Sequence, residues 1–188
     1  MFIMAGVKKM ADNDDLRALV RTIPDYPKPG IQFRDVSTLL LDGPAFRRTI
    51  DRMIALIDPD SFDLIAGIEA RGFIVSAAMS YALEKGKVML RKPGKLPGKS
   101  VYIDYALEYG TDRIEMHVDA IRPGQRVLLV DDLIATGGTA MAAVQLLRGQ
   151  GAVVDRALFI VDLPDLGGGQ KLAAAGVEAT ALMAFAGD

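Results

Sequence analysis

An unbroken apolar run, Val127-Leu128-Leu129-Val130, follows Arg126 and ends in two aspartates, Asp131 and Asp132. A short step later, Thr136-Gly137-Gly138-Thr139 opens an apolar helical pattern that runs to about Arg148. A strand apolar on successive residues is buried on both faces, which is the habit of parallel sheets covered by helices. The neighbouring segments repeat the theme. Asp63–Ile68 reads as a short buried strand, Gly72–Leu83 as a helix, Val88–Leu90 as a strand, and Val153–Val161 as another. Strands alternating with helices imply βαβ units and an α/β fold built on an open, mostly parallel sheet.

Three further segments complete the outline. Asp12–Ile23 is predicted as a first helix, acidic at its start and carrying Arg17 and Arg21 toward its end. A second helix is predicted from near Pro44 to about Ile57, with Phe46, Ile50, Met53, Ile54 and Ile57 on one face. Between the parallel units, Ser100–His117 alternates like an antiparallel hairpin, with Tyr109-Gly110-Thr111-Asp112 read as its turn. Such an insertion projects beyond a parallel sheet and is free to act as a lid. Residues 1–11 are read as a flexible N-terminal extension, with Met4 and Met10 as alternative starts, and 12–188 as a single domain.

Composition narrows the chemistry. With Cys 0 there is no thiol or disulfide, which is compatible with a reducing cytoplasm. His 1 leaves almost no material for a histidine metal cluster or a Ser-His-Asp triad, and His117 is assigned no role. A formal net charge of −2 argues against a general nucleic-acid binder, and no apolar run is long enough for a membrane span. A local basic run, Arg91, Lys92, Lys95 and Lys99, stands out in an otherwise acidic chain.

In an open parallel sheet, ligands bind beyond the carboxyl ends of the strands. There, Ala135, Thr136, Gly137, Gly138 and Thr139 offer close backbone approach, N–H groups, hydroxyls and a helix N-terminus, which together make a phosphate cradle. Asp131 and Asp132 cannot bind phosphate directly. They suit sugar hydroxyls or a hydrated divalent cation. A ligand with a ribose diol and a monophosphate matches both halves. No Gly-Lys-Ser/Thr or G-x-G-x-x-G accompanies the turn, so it is neither a Walker loop nor a dinucleotide fingerprint.

The acidic pair followed by Ala135–Thr139 resembles the phosphoribosyl pyrophosphate (PRPP) signature of the type I phosphoribosyltransferases. Five collinear stretches narrow the resemblance to the adenine-using branch of that purine family: Ile23–Gly30 with Phe33-Arg34-Asp35, Gly67–Phe73, Arg91–Pro97, Leu107–Asp112 and Leu163–Leu172. The resemblance implies a type I phosphoribosyltransferase fold with the projecting hairpin as a mobile lid and a small base-binding hood at about 24–38. It also implies transfer of the phosphoribosyl group of Mg²⁺-bound PRPP to adenine N9, giving AMP and pyrophosphate, by a homodimer.

Site residues follow from the same resemblance. Glu69, Ala70 and Arg71 form a pyrophosphate loop, often with a strained or cis peptide, and Lys92 touches pyrophosphate as well. Phe33 stacks on the base while the Gln32–Arg34 backbone reads its edge. Glu108 handles a proton on the purine ring, and Tyr105 and Tyr109 help cover the site. Asp131 and Asp132 serve the ribose hydroxyls and, through them or through water, the metal. Two departures stand out: Asp162 where the family commonly has Glu, and Gly169 where it has Arg, and both bear on the salt bridges of that segment. Two alternatives stay open here, the same chemistry on xanthine, hypoxanthine or guanine, and a non-catalytic PRPP-sensing regulator.

Overall fold

The computed structural model describes residues 13–107 and 110–187. The expected N-terminal extension therefore lies outside the described residues. Helix α1 (Asp14–Arg17) leads into a two-stranded antiparallel sheet of β1 (Arg21–Pro24) and β2 (Gln32–Asp35). Helices α2 (Ser37–Leu41) and α3 (Gly43–Ala55) follow. The central units are β3 (Leu64–Ile68), α4 (Arg71–Leu83) and β4 (Gly86–Leu90), then the hairpin β5 (Ser100–Leu107) and β6 (Gly110–His117). The chain ends with β7 (Val127–Ile134), α5 (Gly138–Gly149), β8 (Arg156–Asp162), α6 (Gly168–Ala174) and β9 (Glu178–Ala184).

Five strands form one parallel sheet in the order β4-β3-β7-β8-β9. The sequence order turns back between β3 and β7, and a cleft at the carboxyl ends of two such strands is where ligands bind in open α/β sheets. Alternate residues of β7 feed two cores. Val127 and Leu129 pack with the alanine-rich face of α5 (Ala142, Ala143, Leu147) and with Ile114 and Met116 of the hairpin. Leu128 and Val130 pack with Met53 of α3, Val75 and Met79 of α4, and Leu16 and Leu39. All of these residues are essentially buried, so the continuous apolar run has the predicted physical cause.

Several boundaries differ from expectation. The first helix stops at Arg17, and the β-branched Thr22 and Ile23, just before Pro24, instead pair with Arg34 and Phe33. Strand β7 does not end before the aspartates but continues to Ile134, because Leu133 and Ile134 keep their register with Val161 and Asp162 of β8. Strand β8 begins at Arg156 rather than Val153, which makes only an isolated bridge to Arg126. Gly110-Thr111-Asp112 is not a turn. Gly110 pairs with Leu107 and Asp112 with Tyr105, inside the hairpin ladder.

The ends of β1 and β2 are fastened by Asp35, which accepts from Arg21 Nε (3.1 Å) and Nη2 (2.5 Å) and from the Ser37 amide (2.9 Å). Hydrogen bonding from Ser37, and then from Arg21, holds the buried Asp35 carboxyl at about 2. A depressed carboxylate pKa contributes stability that is present above the unfolded value and is lost as pH falls toward the folded one. Since Arg21 is exposed, the contribution is discounted to about 1–2 kcal/mol. Melting curves should therefore show Asp35→Asn less stable than the wild type at pH 6, with the gap closing between about pH 4 and pH 2. A gap independent of pH would show that the carboxylate charge contributes nothing.

Candidate active site

At the carboxyl ends of β3 and β7 lies a cavity of about 420 Å³. Its wall gathers Glu69, Ala70 and Arg71 after β3, Lys92 after β4, Asp131 and Asp132 in β7, and Ala135, Thr136, Gly137, Gly138 and Thr139 at the start of α5. The sheet thus brings into one cleft the groups that the sequence places along one sheet edge.

The turn before α5 has the shape a phosphate cradle needs. Gly137 is left-handed (φ 74°) at the N-cap, with α5 beginning at Gly138. The first turn of α6 packs against the back of this turn, where the Gly168 amide donates to Ala135 O (2.9 Å). A Cβ on Gly137 would lie 2.9 Å from Gly168 Cα, so both glycines are needed for the contact.

The aspartates differ in environment. Asp132 is buried and accepts from Arg71 Nε at 2.5 Å. Asp131 accepts from the Asp132 amide (2.9 Å) and lies under the first turn of α4, where a Cβ on Gly72 would come 2.5 Å from its Oδ1. Burial, and then the neighbouring Asp132 charge, push the Asp131 carboxyl well above the usual carboxylate range. A hydroxyl or cation entering the cleft meets one carboxyl paired with a guanidinium and another whose ionisation is opposed by burial and by its neighbour.

Arg71 opens α4, and the peptide joining Glu69 to Ala70 just before it is cis. Glu69 itself faces the basic loop. It accepts from Arg91 Nε (3.2 Å) and from the Lys92 amide (2.9 Å). Burial opposes its ionisation, but these bonds outweigh it and hold its carboxyl below the ordinary value. Lys92 reaches the hairpin, with its ammonium paired to Asp112 Oδ2 and 3.2 Å from the Tyr105 hydroxyl. Burial disfavours that charge, but the bonds to Asp112 and Tyr105 prevail and raise its pKa.

Not every expected residue lines the cavity. Gln32, Phe33 and Arg34 lie on β2 beside it, and the link is the Arg71 guanidinium, 5.7 Å from the Phe33 ring centroid. Tyr26 meets Phe33 edge-on at 5.3 Å. The Arg34 side chain points elsewhere, donating to Thr22 Oγ1 (2.6 Å) and stacking over Phe185 at 4.8 Å. Tyr105 touches the cradle through Thr139 Oγ1, which donates to its hydroxyl at 3.3 Å. Glu108 and Tyr109 lie outside the described residues. Of the two departures, Asp162 ends β8 with Oδ1 buried and without a hydrogen-bond partner, and burial raises its pKa. Around Gly169 a Cβ would meet nothing within 4 Å.

Sequence reasoning missed Asp112, which it placed in a turn, and Gly168, which supports the cradle. The Gly167-Gly168-Gly169 run was the available signal for Gly168.

A parallel sheet with a switch-point cleft, two aspartates on a central strand and a glycine turn opening a helix is an arrangement in which open α/β folds bind phosphorylated ligands. Residues 37–165 match the phosphoribosyl transferase domain family. An adenine phosphoribosyltransferase of Azorhizobium caulinodans is 58% identical over 178 residues, covering 95% of this chain and 99% of its own. Among solved structures, the adenine phosphoribosyltransferase of Thermoanaerobacter pseudethanolicus superposes with a TM-score of 0.87 at 44% identity, covering 92% of this chain and 99% of its own. The Saccharomyces cerevisiae enzyme, solved with adenine and an imino-altritol bisphosphate, gives 0.82 at 33% identity, with coverages of 90% and 97%. The chain belongs to the adenine phosphoribosyltransferase family.

Proposed function

We propose that this protein transfers the phosphoribosyl group of PRPP to N9 of adenine, releasing AMP and pyrophosphate in purine salvage. The observation that carries the reading is the single cleft joining Ala135–Thr139, the Asp131-Asp132 pair, Arg71 and Lys92. In this reading Ala135–Thr139 hold the 5′-phosphate, Asp131 and Asp132 the ribose hydroxyls, and Arg71 and Lys92 the pyrophosphate. A guanidinium engages phosphate oxygens in pairs, while a lysine acts as a point charge. Phe33 stacks on adenine and the Gln32–Arg34 backbone reads its edge. The Glu69–Ala70 peptide shapes the pyrophosphate loop.

The C1′–O bond to pyrophosphate breaks and its electron pair leaves with pyrophosphate. Adenine N9 bonds to C1′ from the opposite face, and the purine proton passes to Glu108. Fixed carboxylates favour the cation-like ribosyl centre, and Arg71 and Lys92 favour the departing charge. Tyr105 and Tyr109 on the hairpin help exclude water, which would otherwise capture C1′.

Among the described residues no three His, Asp or Glu side chains form a metal cage. Two hard carboxylates at the cleft nevertheless fit a Mg²⁺ that is carried by the substrate's own oxygens and reached through water or ribose hydroxyls. When bound, Mg²⁺ neutralises the pyrophosphate that leaves.

We also propose that residues 12–188 act as one domain with its hood at about 24–38, and that the protein works in the cytoplasm as a homodimer. Among the described residues no helix is long and apolar enough to cross a membrane. Support for the dimer comes from Ile74 and Tyr81 on one face of α4 and Met89 on the edge strand β4, large apolar side chains left exposed. A helix apolar on all sides suits burial on all sides.

Purified protein with Mg²⁺, PRPP and labelled adenine is expected to give AMP, with hypoxanthine, guanine and xanthine consumed much more slowly in competition. Faster turnover of another base would reassign the substrate.

A further inference from the structure

Lys92 lines the cavity, yet its charge is already engaged by the hairpin. Asp112 Oδ2 is its ion-pair partner, with the Lys92 and Asp112 side chains 36% and 25% exposed. The Tyr105 hydroxyl donates to the same Asp112 oxygen at 3.0 Å and accepts from Lys92 Nζ at 3.2 Å and Thr139 Oγ1 at 3.3 Å. One proton and two lone pairs satisfy a hydroxyl completely. A single network therefore joins the lysine after β4, the hairpin and the first turn of α5. Glu69 binds the Lys92 amide and Arg91, not the ammonium. Burial opposes ionisation of Asp112, but Lys92, the Arg113 amide and Tyr105 hold its carboxyl below the ordinary value, so it is an anion at neutral pH.

We propose that Asp112 is a functional residue of the pyrophosphate side of the site, an internal anion that competes with phosphate oxygens for Lys92 and so limits retention of pyrophosphate. The inference rests on the reading of Lys92 as a pyrophosphate ligand. A polyanion entering the cleft draws the ammonium away from Asp112, which loosens the Tyr105 contact and frees the Thr139 hydroxyl for the cradle. As pyrophosphate leaves, Asp112 recaptures the lysine. The price is affinity, since a fixed carboxylate beside the lysine repels the incoming polyanion. Product release gains what binding loses.

Calorimetric titration of the full chain with pyrophosphate in Mg²⁺ tests this. Asp112→Asn keeps the shape and an acceptor for Tyr105 but removes the charge. It is expected to bind pyrophosphate roughly threefold to tenfold more tightly, as removal of a like charge at this range should do. Asp112→Ser, a smaller neutral variant that tolerates local repacking, should tighten binding too, whereas Asp112→Glu should stay close to wild type. Lys92→Met should bind more weakly than wild type. If it does, and both neutral variants bind no tighter than wild type, Asp112 is structural and the proposal is overturned. If Lys92→Met binds as well as wild type, the assignment of Lys92 to pyrophosphate fails first, and the competition falls with it.

Discussion

Changing Asp131 and Asp132 together to asparagine is expected to lower turnover by at least about a hundredfold, the scale on which one preorganised charge stabiliser acts. Asparagine matches the volume of aspartate, so the packing under Gly72 and between β7 and β8 is kept while the carboxylate character of the pair goes. Asp132 loses its ion pair with Arg71, which frees the guanidinium for pyrophosphate. Binding of pyrophosphate should therefore survive, and the loss should appear in the rate of bond cleavage at C1′. Single-turnover measurements beside a thermal melt separate the two. A near-wild-type rate in a folded double variant would make the acidic pair structural, and the carboxylates would have no part in stabilising the ribosyl centre.

The second large effect is expected at Gly168, which the reading assigns no contact with substrate. A Cβ there would fall 2.3 Å from Ala135 O, 2.8 Å from the Gly137 amide nitrogen and 2.8 Å from Ile134 Cγ1. All but the last are backbone atoms of the cradle, so the loop must move rather than a flexible side chain. Overpacking of this kind costs about 1–3 kcal/mol. Spent on the bound form, that is roughly a 5- to 150-fold rise in KM for PRPP. Gly169→Ala is the control, because its Cβ meets nothing within 4 Å and KM should stay within about twofold. If Gly168→Ala leaves KM unchanged, the cradle does not depend on its seat against α6.

What the sequence made legible was what local pattern and short motifs encode. The run Val127–Val130 declares a doubly buried strand because neither face of β7 meets water. Arg71 and Thr136–Thr139 sit at helix starts, and Asp131 and Asp132 lie in the carboxyl-terminal half of β7, so their arrival in one cleft follows once the sheet is parallel. Long-range pairing was less accessible. Arg21 reads as the end of a helix until Asp35 is known to face it across β1 and β2. Strand β9 carries no alternation that distinguishes it, and its place beside β8 comes from register. Asp112 looked like a turn residue because Gly110 precedes it; only the pairing with Tyr105 turns it toward Lys92. Gly168 reads as a loop glycine until Ala135 is found against it.

One cleft that binds both ends of PRPP should pass its ribosyl group to adenine without losing it to water. The direct measurement follows AMP and pyrophosphate together from labelled adenine and PRPP in the presence of Mg²⁺. The two products are expected in equal amounts, dependent on adenine, with little release of free ribose 5-phosphate. Pyrophosphate without AMP, or no reaction at all, would contradict it.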